Sequence, residues 1–147
     1  MNEKNERVEL LSKMIGIDPQ FWPYPIPKNL NLQLLEIKEG STKMKTIVQK
    51  DWLNPLHILH GGIMVTLMDE VMGICAYTLN NGQRYATINL NADFLASAKE
   101  NEVIYIFGKI EKIGRQLIHA LSHIENEQGR ILAKSSSNLL SFTPKSV

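Results

Sequence analysis

Apolar residues recur along this chain at helical, alternating and continuous spacings, and each spacing predicts an element. Across residues 3–15, Val8, Leu11, Met14 and Ile15 return at helical intervals among charged side chains, and Gly16 follows where such a helix would stop. A short amphipathic helix is predicted there. Next, Pro19, Pro23, Pro25 and Pro27 interleave with Phe21, Trp22, Tyr24 and Ile26. Proline has no amide proton to give a helix or an inner strand, so this piece is expected to lie extended across the domain, pinned by its aromatics. Residues 30–49 read as two strands about a turn at Glu39, Gly40 and Ser41, and a loop over 50–59 leads into HGGIMVTLMDEVMGICAY, which begins at His60. Residues 62–79 are apolar at nearly every position, which predicts a buried helix about 27 Å long. Asn80, Asn81 and Gly82 end it.

The rest of the chain alternates. In RYATINLNADFL, Ala86, Ile88, Leu90, Ala92 and Phe94 fall on one face of a strand, with Thr87, Asn89, Asn91 and Asp93 on the other. Further strands are predicted over 102–113, 116–124 and 130–142, with turns at Gly114 and Arg115 and at Gln128 and Gly129. Two strands, a long helix and then four strands in a meander make an α+β protein. Hairpin-type connections imply an antiparallel sheet, because parallel neighbours need long crossovers. The only long helix must cover one face of that sheet, so the expected architecture is an antiparallel sheet wrapped around a central helix. The short helix and Pro-rich piece, residues 1–29, precede this main unit, residues 30–147.

Composition narrows the partners. At 147 residues the chain fits one domain. Its formal charge of +1 sets up no large field to attract nucleic acid or an anionic membrane. No apolar run reaches the roughly 20 residues of a membrane span, and MNEKNERVEL lacks the apolar core of a signal peptide, so the expected compartment is the cytosol. Cys75 is the only cysteine, flanked by apolar residues, which fits a buried inert thiol.

Asp69 and Glu70 stand in the middle of the apolar helix, and burying an unpaired carboxylate costs several kcal/mol. At 100° per residue, Gly62, Thr66, Asp69, Gly73 and Ala76 form one small, polar stripe. Asp69 therefore points along the one side that something other than core can approach. Close packing of a second helix is the alternative use for such a stripe. Gly61 and Gly62 open the helix, where backbone N–H groups lack intrahelical partners, the macrodipole is positive, and a ligand oxygen meets no Cβ. Such a place can stabilise the oxyanion formed when a carbonyl is attacked. His60 would stand beside it as orienter or donor, or serve simply as a loop residue. Carboxylate plus oxyanion site suggests acyl transfer or hydrolysis. Seven residues of helix, roughly 10 Å, separate Gly62 from Asp69, too far for both to touch one carbon. Two chains with antiparallel helices would bring the glycine end of one to the carboxylate of the other.

The stretch NPLHILHGGIMVTLMDEVMGICA resembles the motif of hotdog-fold acyl-CoA thioesterases of the PaaI type: Asn-Pro, then His-Gly-Gly, then an acidic residue nine positions beyond that His. The likeness continues through YATINLNADFLASAK and EKIGRQL. By this resemblance Asp69 is the catalytic carboxylate, acting as general base on water or as nucleophile. Gly61 supplies the N–H that polarises the thioester carbonyl, His60 and Asn54 position the helix start and the substrate, and Thr87 helps hold the water. Gly62, Phe94, Lys99, Gly114 and Arg115 match segments lining the coenzyme A channel, with Lys99 and Arg115 as phosphate partners, unless both are solvated surface. The resemblance also implies a homodimer or a dimer of dimers. The chain departs from the family where His57 replaces a usual Gly, and where Ala96 and Ser97 replace a usual Arg-Pro. Glu70 has no assigned role and is expected to pair with a basic neighbour.

No metal is expected: His119 and His123 lie about 13 Å apart along a strand, and His57, His60 and Asp69 lack a convergent fourth ligand. Coenzyme A enters only as part of the substrate. The expected activity is hydrolysis of an acyl-CoA-type thioester. A non-catalytic acyl-CoA-binding hotdog module and a hotdog dehydratase are the alternatives.

Overall fold

The computed structural model describes residues 4–143. Helix α1, Glu6–Ser12, is capped by Asn5, whose Oδ1 accepts from the Val8 N–H. The chain then turns to Gly16, at φ +74°. The Pro-rich piece is not extended as its prolines suggested: it makes a single 3-10 turn, Pro19–Phe21, and a short helix α2, Pro25–Asn29. Each begins on a proline, at the one helical position where a missing N–H costs nothing. Of its aromatics only Trp22 is buried, and its Nε1 donates to the Leu32 carbonyl at 2.8 Å. Phe21 and Tyr24 face outward.

Strands β1, Gln33–Lys38, and β2, Ser41–Ile47, form the expected hairpin, with Gly40 at φ +73° in the turn. The central helix α3 is Gly61–Tyr77. Strands β3, Arg84–Phe94, β4, Val103–Ile113, β5, Leu117–Asn126, and β6, Ile131–Phe142, complete one antiparallel sheet in the order β1-β2-β4-β5-β6-β3. This is the hotdog architecture: six strands curled about one long helix. The meander, however, holds three strands and not four. β3 pairs with β6 at the far edge, and residues 95–102 carry the chain back to β4, with Leu95 and Ala96 donating to the Leu132 carbonyl and Ala98 accepting from Leu59. Alternation identifies a strand but carries no information about its neighbour.

A register shift between Thr87 and Asn89 corrects the expected faces of β3. Ile88 is the extra residue of a β-bulge, which reverses the side-chain alternation beyond it. Tyr85 and Leu90 both pack on the core beside Met72 and Ala76, although one lies before the bulge and one after. Thr87 thereby joins Leu90 and Ala92 on the helix side, where a regular strand would have put it on the opposite face.

Helix α3 buries Leu67, Met68, Val71, Met72 and Cys75 against the sheet. Burial pushes the Cys75 thiol up to about 12, so it stays protonated and inert. At the far end of α3, Asn5 Nδ2 donates to the Thr78 carbonyl at 2.7 Å and Arg7 to the Tyr77 carbonyl at 2.9 Å. These are carbonyls that a helix C-terminus leaves unpaired, so α1 docks by capping α3. None of the described helices is long and apolar enough to cross a membrane.

Helix and sheet approach closely at Gly108, where a Cβ would stand 2.6 Å from Val71 Cγ1, 3.0 Å from Cys75 Sγ and 3.3 Å from the Val71 carbonyl oxygen. Gly108→Ala is therefore expected to cost about 1–3 kcal/mol in urea unfolding. Adding Val71→Ala should cost less in that background than in the parent; equal costs would show that the clash is relieved elsewhere.

Candidate active site

The loop before α3 is shaped by Asn54. Its Oδ1 accepts from the N–H groups of Leu56, at 2.9 Å, and Ile58, at 3.4 Å, while its own N–H donates to the Ile58 carbonyl at 2.9 Å. This tight turn drives His57 into the left-handed region, at φ +59°. A glycine would meet that demand at no steric cost. A bridge between Leu53 and Leu59, and the His60 N–H donating to the Trp52 carbonyl at 2.9 Å, deliver the chain to the helix.

His60 is the N-cap of α3. Its Nδ1 accepts from the Gly62 N–H at 2.9 Å, so this nitrogen carries no proton in the arrangement and the ring acts here as acceptor, not donor. The Gly61 N–H is left without a partner among the described residues. The Phe94 ring lies against Gly61, 3.1 Å from where a Cβ would stand, and forms one wall beside that N–H. Phe94 and Gly61, far apart in sequence, are thus brought into contact.

Asp69 lies two turns further along α3, half-buried, with no cation in contact among the described residues. Thr87 Oγ1 donates to its Oδ1 at 2.8 Å. Asp69 Oδ2 has no partner among the described residues, so one carboxylate oxygen is held and the other is available. The rest of the stripe is open: Gly62 and Gly73 are exposed, and the Thr66 hydroxyl turns back to the Gly62 carbonyl at 2.9 Å. Ala76 departs from it and is buried against β5 and β6. Glu70 finds no basic neighbour within bonding distance, contrary to expectation. Burial, and next the charge of Asp69, raise its carboxyl above the usual range.

Gly61 and Asp69 are eight residues apart on one helix, about 12 Å along its axis. The helix holds these two groups that far apart within one chain. The remaining candidates divide between two ends of the molecule. Lys99 is exposed beside Ala98, whose carbonyl accepts from Leu59 next to the helix start. Arg115 lies in the β4–β5 turn at the other end, where Gly114 is required because a Cβ would come 2.7 Å from the Leu117 carbonyl oxygen. The alternation of β3 gives no signal of the bulge at Ile88 that puts Thr87, before it, and Leu90 and Ala92, after it, on one face. Among the described residues no group of three or more His, Cys, Asp or Glu side chains converges as a metal site.

A thioesterase superfamily model matches residues 56–133, just over half of the chain. The chain belongs to that superfamily. Among its relatives, this thioesterase-superfamily chain is 26% identical to a protein described as a putative esterase from Archaeoglobus fulgidus, over 71% of the chain and 66% of the relative. It is 28% identical to mouse acyl-coenzyme A thioesterase 13 over 59% of the chain and 63% of the relative. The chain thus spans just under two thirds of the length of these two relatives. A solved hypothetical thioesterase of Streptococcus pneumoniae with coenzyme A superposes at TM-score 0.73 with 25% identity, covering 79% of the chain and 89% of the other. The Escherichia coli PaaI protein, from the phenylacetic acid degradation operon, shares the fold at TM-score 0.82 with 16% identity, over 95% and 96% of the two chains.

Two outcomes follow from the site's local geometry. His57→Gly should stabilise the protein by about 0.5–1 kcal/mol in denaturant titration, by releasing a left-handed side chain; a loss of stability would mean the imidazole makes a compensating contact. The raised Glu70 carboxyl stabilises the fold fully below its unfolded value, about 4.3, and that contribution is lost as pH rises through the higher folded value. Glu70→Gln should therefore raise the thermal midpoint at about pH 7 and above, with the gain vanishing near pH 4; a gain independent of pH would contradict this.

Proposed function

We propose that the protein is a cytosolic acyl-CoA thioesterase that works as a homodimer, alone or paired into a dimer of dimers, with two equivalent sites shared between subunits. The observation that carries this reading is the half-buried Asp69, hydrogen-bonded by Thr87 on the open stripe of α3 with no counter-charge. A carboxylate kept this way is suited to proton transfer rather than to an ion pair. Thr87 holds Oδ1 and orients the group, leaving Oδ2 to take a proton from water. The water oxygen then bonds to the thioester carbon, and the carbonyl π pair moves to oxygen. The resulting oxyanion is stabilised by the Gly61 N–H of the second copy, at the positive end of its α3. Collapse of this intermediate breaks the C–S bond, and the thiolate of coenzyme A leaves to be protonated. Direct attack by Asp69, giving an anhydride that water then cleaves, uses the same placement.

Two features support the pairing of copies. The first is the 12 Å gap estimated above between Gly61 and Asp69, which a second, antiparallel helix closes. The second is β3, an 11-residue edge strand with a partner on one side only and Ile88 53% exposed. A long, partly apolar free edge invites pairing with a second β3 across a two-fold axis. Such pairing would also bring Arg115 of one copy nearer to Lys99 of the other, so that both could meet the phosphates of coenzyme A. The relatives named for acyl-CoA thioesterase activity and the coenzyme A-containing structural neighbour support that substrate class.

A thiol-release assay across acyl-CoA esters tests this. Asp69→Ala should lower turnover by about two to four orders of magnitude with the fold intact. Refolding Asp69→Ala together with His60→Ala should restore activity in mixed dimers, because each would carry one unmodified site. No thiol release by the parent, or the appearance of a double bond without free thiol, would overturn hydrolysis; mixed dimers as inactive as the single variants would overturn shared sites.

A further inference from the structure

A cavity of about 480 Å³ lies on the side of α3 that faces away from the sheet. Leu10 and Met14 of α1, Trp22 and Tyr24 of the Pro-rich piece, and Gly73 and Ile74 of α3 line it. We propose that this cavity receives the acyl tail of the substrate, and that it selects neutral, apolar tails. The inference rests on the thioesterase reading and adds the substrate class to it.

Continuity with the proposed site is the first reason. Gly73 follows Asp69 by one helical turn on the same open stripe, about 6 Å away. A Cβ built on Gly73 meets nothing within 4 Å, so open space adjoins the helix one turn from the carboxylate, and Gly73 itself lines the cavity. A larger depression of about 700 Å³, bordered by Lys43, Phe107, His123 and Lys134, lies across the opposite face of the sheet, and the sheet separates it from Asp69. Shape and chemistry are the second reason. Apart from Lys13 and Glu70 the walls are mostly aliphatic and aromatic, and the volume falls within the range of small-ligand pockets. The covering segment is held at both ends, by Asn5 and Arg7 on the α3 carbonyls and by Trp22 on the Leu32 carbonyl. It is therefore a formed wall.

The third reason is the charge inside. Glu70 lines the cavity next to Asp69, with Lys13 also at its border and no ion pair between Lys13 and Glu70 within 4 Å. A tail ending in a carboxylate would meet the Glu70 carboxyl in partly desolvated surroundings, whereas a hydrocarbon tail gains the full benefit of burial. Finally, the superfamily match starts at residue 56, so Leu10, Met14, Trp22 and Tyr24 lie outside the matched segment. The tail-binding wall is built from the part of the chain that the shared catalytic unit does not include.

The test compares kcat/KM for acetyl-CoA, hexanoyl-CoA and decanoyl-CoA in the parent, in Ile74→Trp and in Leu10→Trp, with folding checked by circular dichroism. Leu10 is 56% exposed, so its variant should fold even if the Ile74 variant does not. The parent should gain about fourfold per methylene until the cavity is full. Each Trp variant should lower the decanoyl-to-acetyl ratio at least tenfold. An unchanged ratio in folded variants that still hydrolyse acyl-CoA overturns the inference and leaves the thioesterase reading standing. A binding measurement separates the reverse case. The non-hydrolysable thioether S-decyl-CoA should shift the emission of Trp22, an effect lost in Trp22→Phe. That shift in a protein that releases no thiol would keep the tail site while removing hydrolysis; no shift in the parent overturns the tail site. Glu70→Gln should raise the glutaryl-to-pentanoyl ratio about tenfold, and an unchanged ratio would remove the charge selection.

Discussion

The hydrogen bond from Thr87 to Asp69 ties the edge strand of the sheet to the central helix, and the proposed chemistry is arranged around it. A carboxylate on a helix packed into apolar surroundings must be paired, hydrogen-bonded or neutralised. Here one oxygen is satisfied by a neutral hydroxyl and no cation approaches among the described residues. Thr87 follows Tyr85 on the core-facing side of β3, and the extra residue at Ile88 lets Leu90 and Ala92 share that side beyond it.

The other half of the proposed site is backbone. Asn54 folds the loop, His57 accepts a left-handed conformation at its tip, and His60 caps the helix with a ring nitrogen. Asn54 and His60 use their side-chain acceptors to shape the chain, and the Gly61 N–H is left without a partner among the described residues, with Phe94 beside it. The rigidity of a helix then keeps that N–H and the Asp69 carboxylate two turns apart. A helix cannot bend its two ends onto one atom, so the proposed reaction needs a second copy, and the unpaired edge of β3 is where a copy would join.

The segment ahead of the hairpin has a different relation to the core. It is attached by side-chain donors to carbonyls that α3 and the chain before β1 leave available, and it covers the outer side of the helix without joining the sheet. Glu70 faces this covered space, which is why its carboxyl is pushed up while its neighbour Asp69 meets a hydroxyl. Adjacent residues on one helix point 100° apart, so two carboxylates one peptide apart can face two environments.

Periodicity made most of the architecture legible. The apolar run beginning at His-Gly-Gly, the hairpin about Gly40 and the alternating strands after Gly82 are local patterns, and local patterns depend only on neighbours in the chain. The acidic stripe, and the glycine pair that opens the helix, were legible for the same reason, since helical geometry converts spacing directly into direction. The partner of β3, the inward turn of Thr87, the capping role of His60 and the short helices of the Pro-rich piece were not. Strand pairing joins residues about 50 positions apart, as Thr87 with Leu139. A bulge leaves the alternation of residue types untouched while reversing where they point. The acceptor role of a ring nitrogen depends on which N–H is left free nearby. Sequence alone determined the elements and the candidate carboxylate, because these follow from spacing; tertiary structure decided what that carboxylate touches, because contact is set by packing between segments that no local pattern connects.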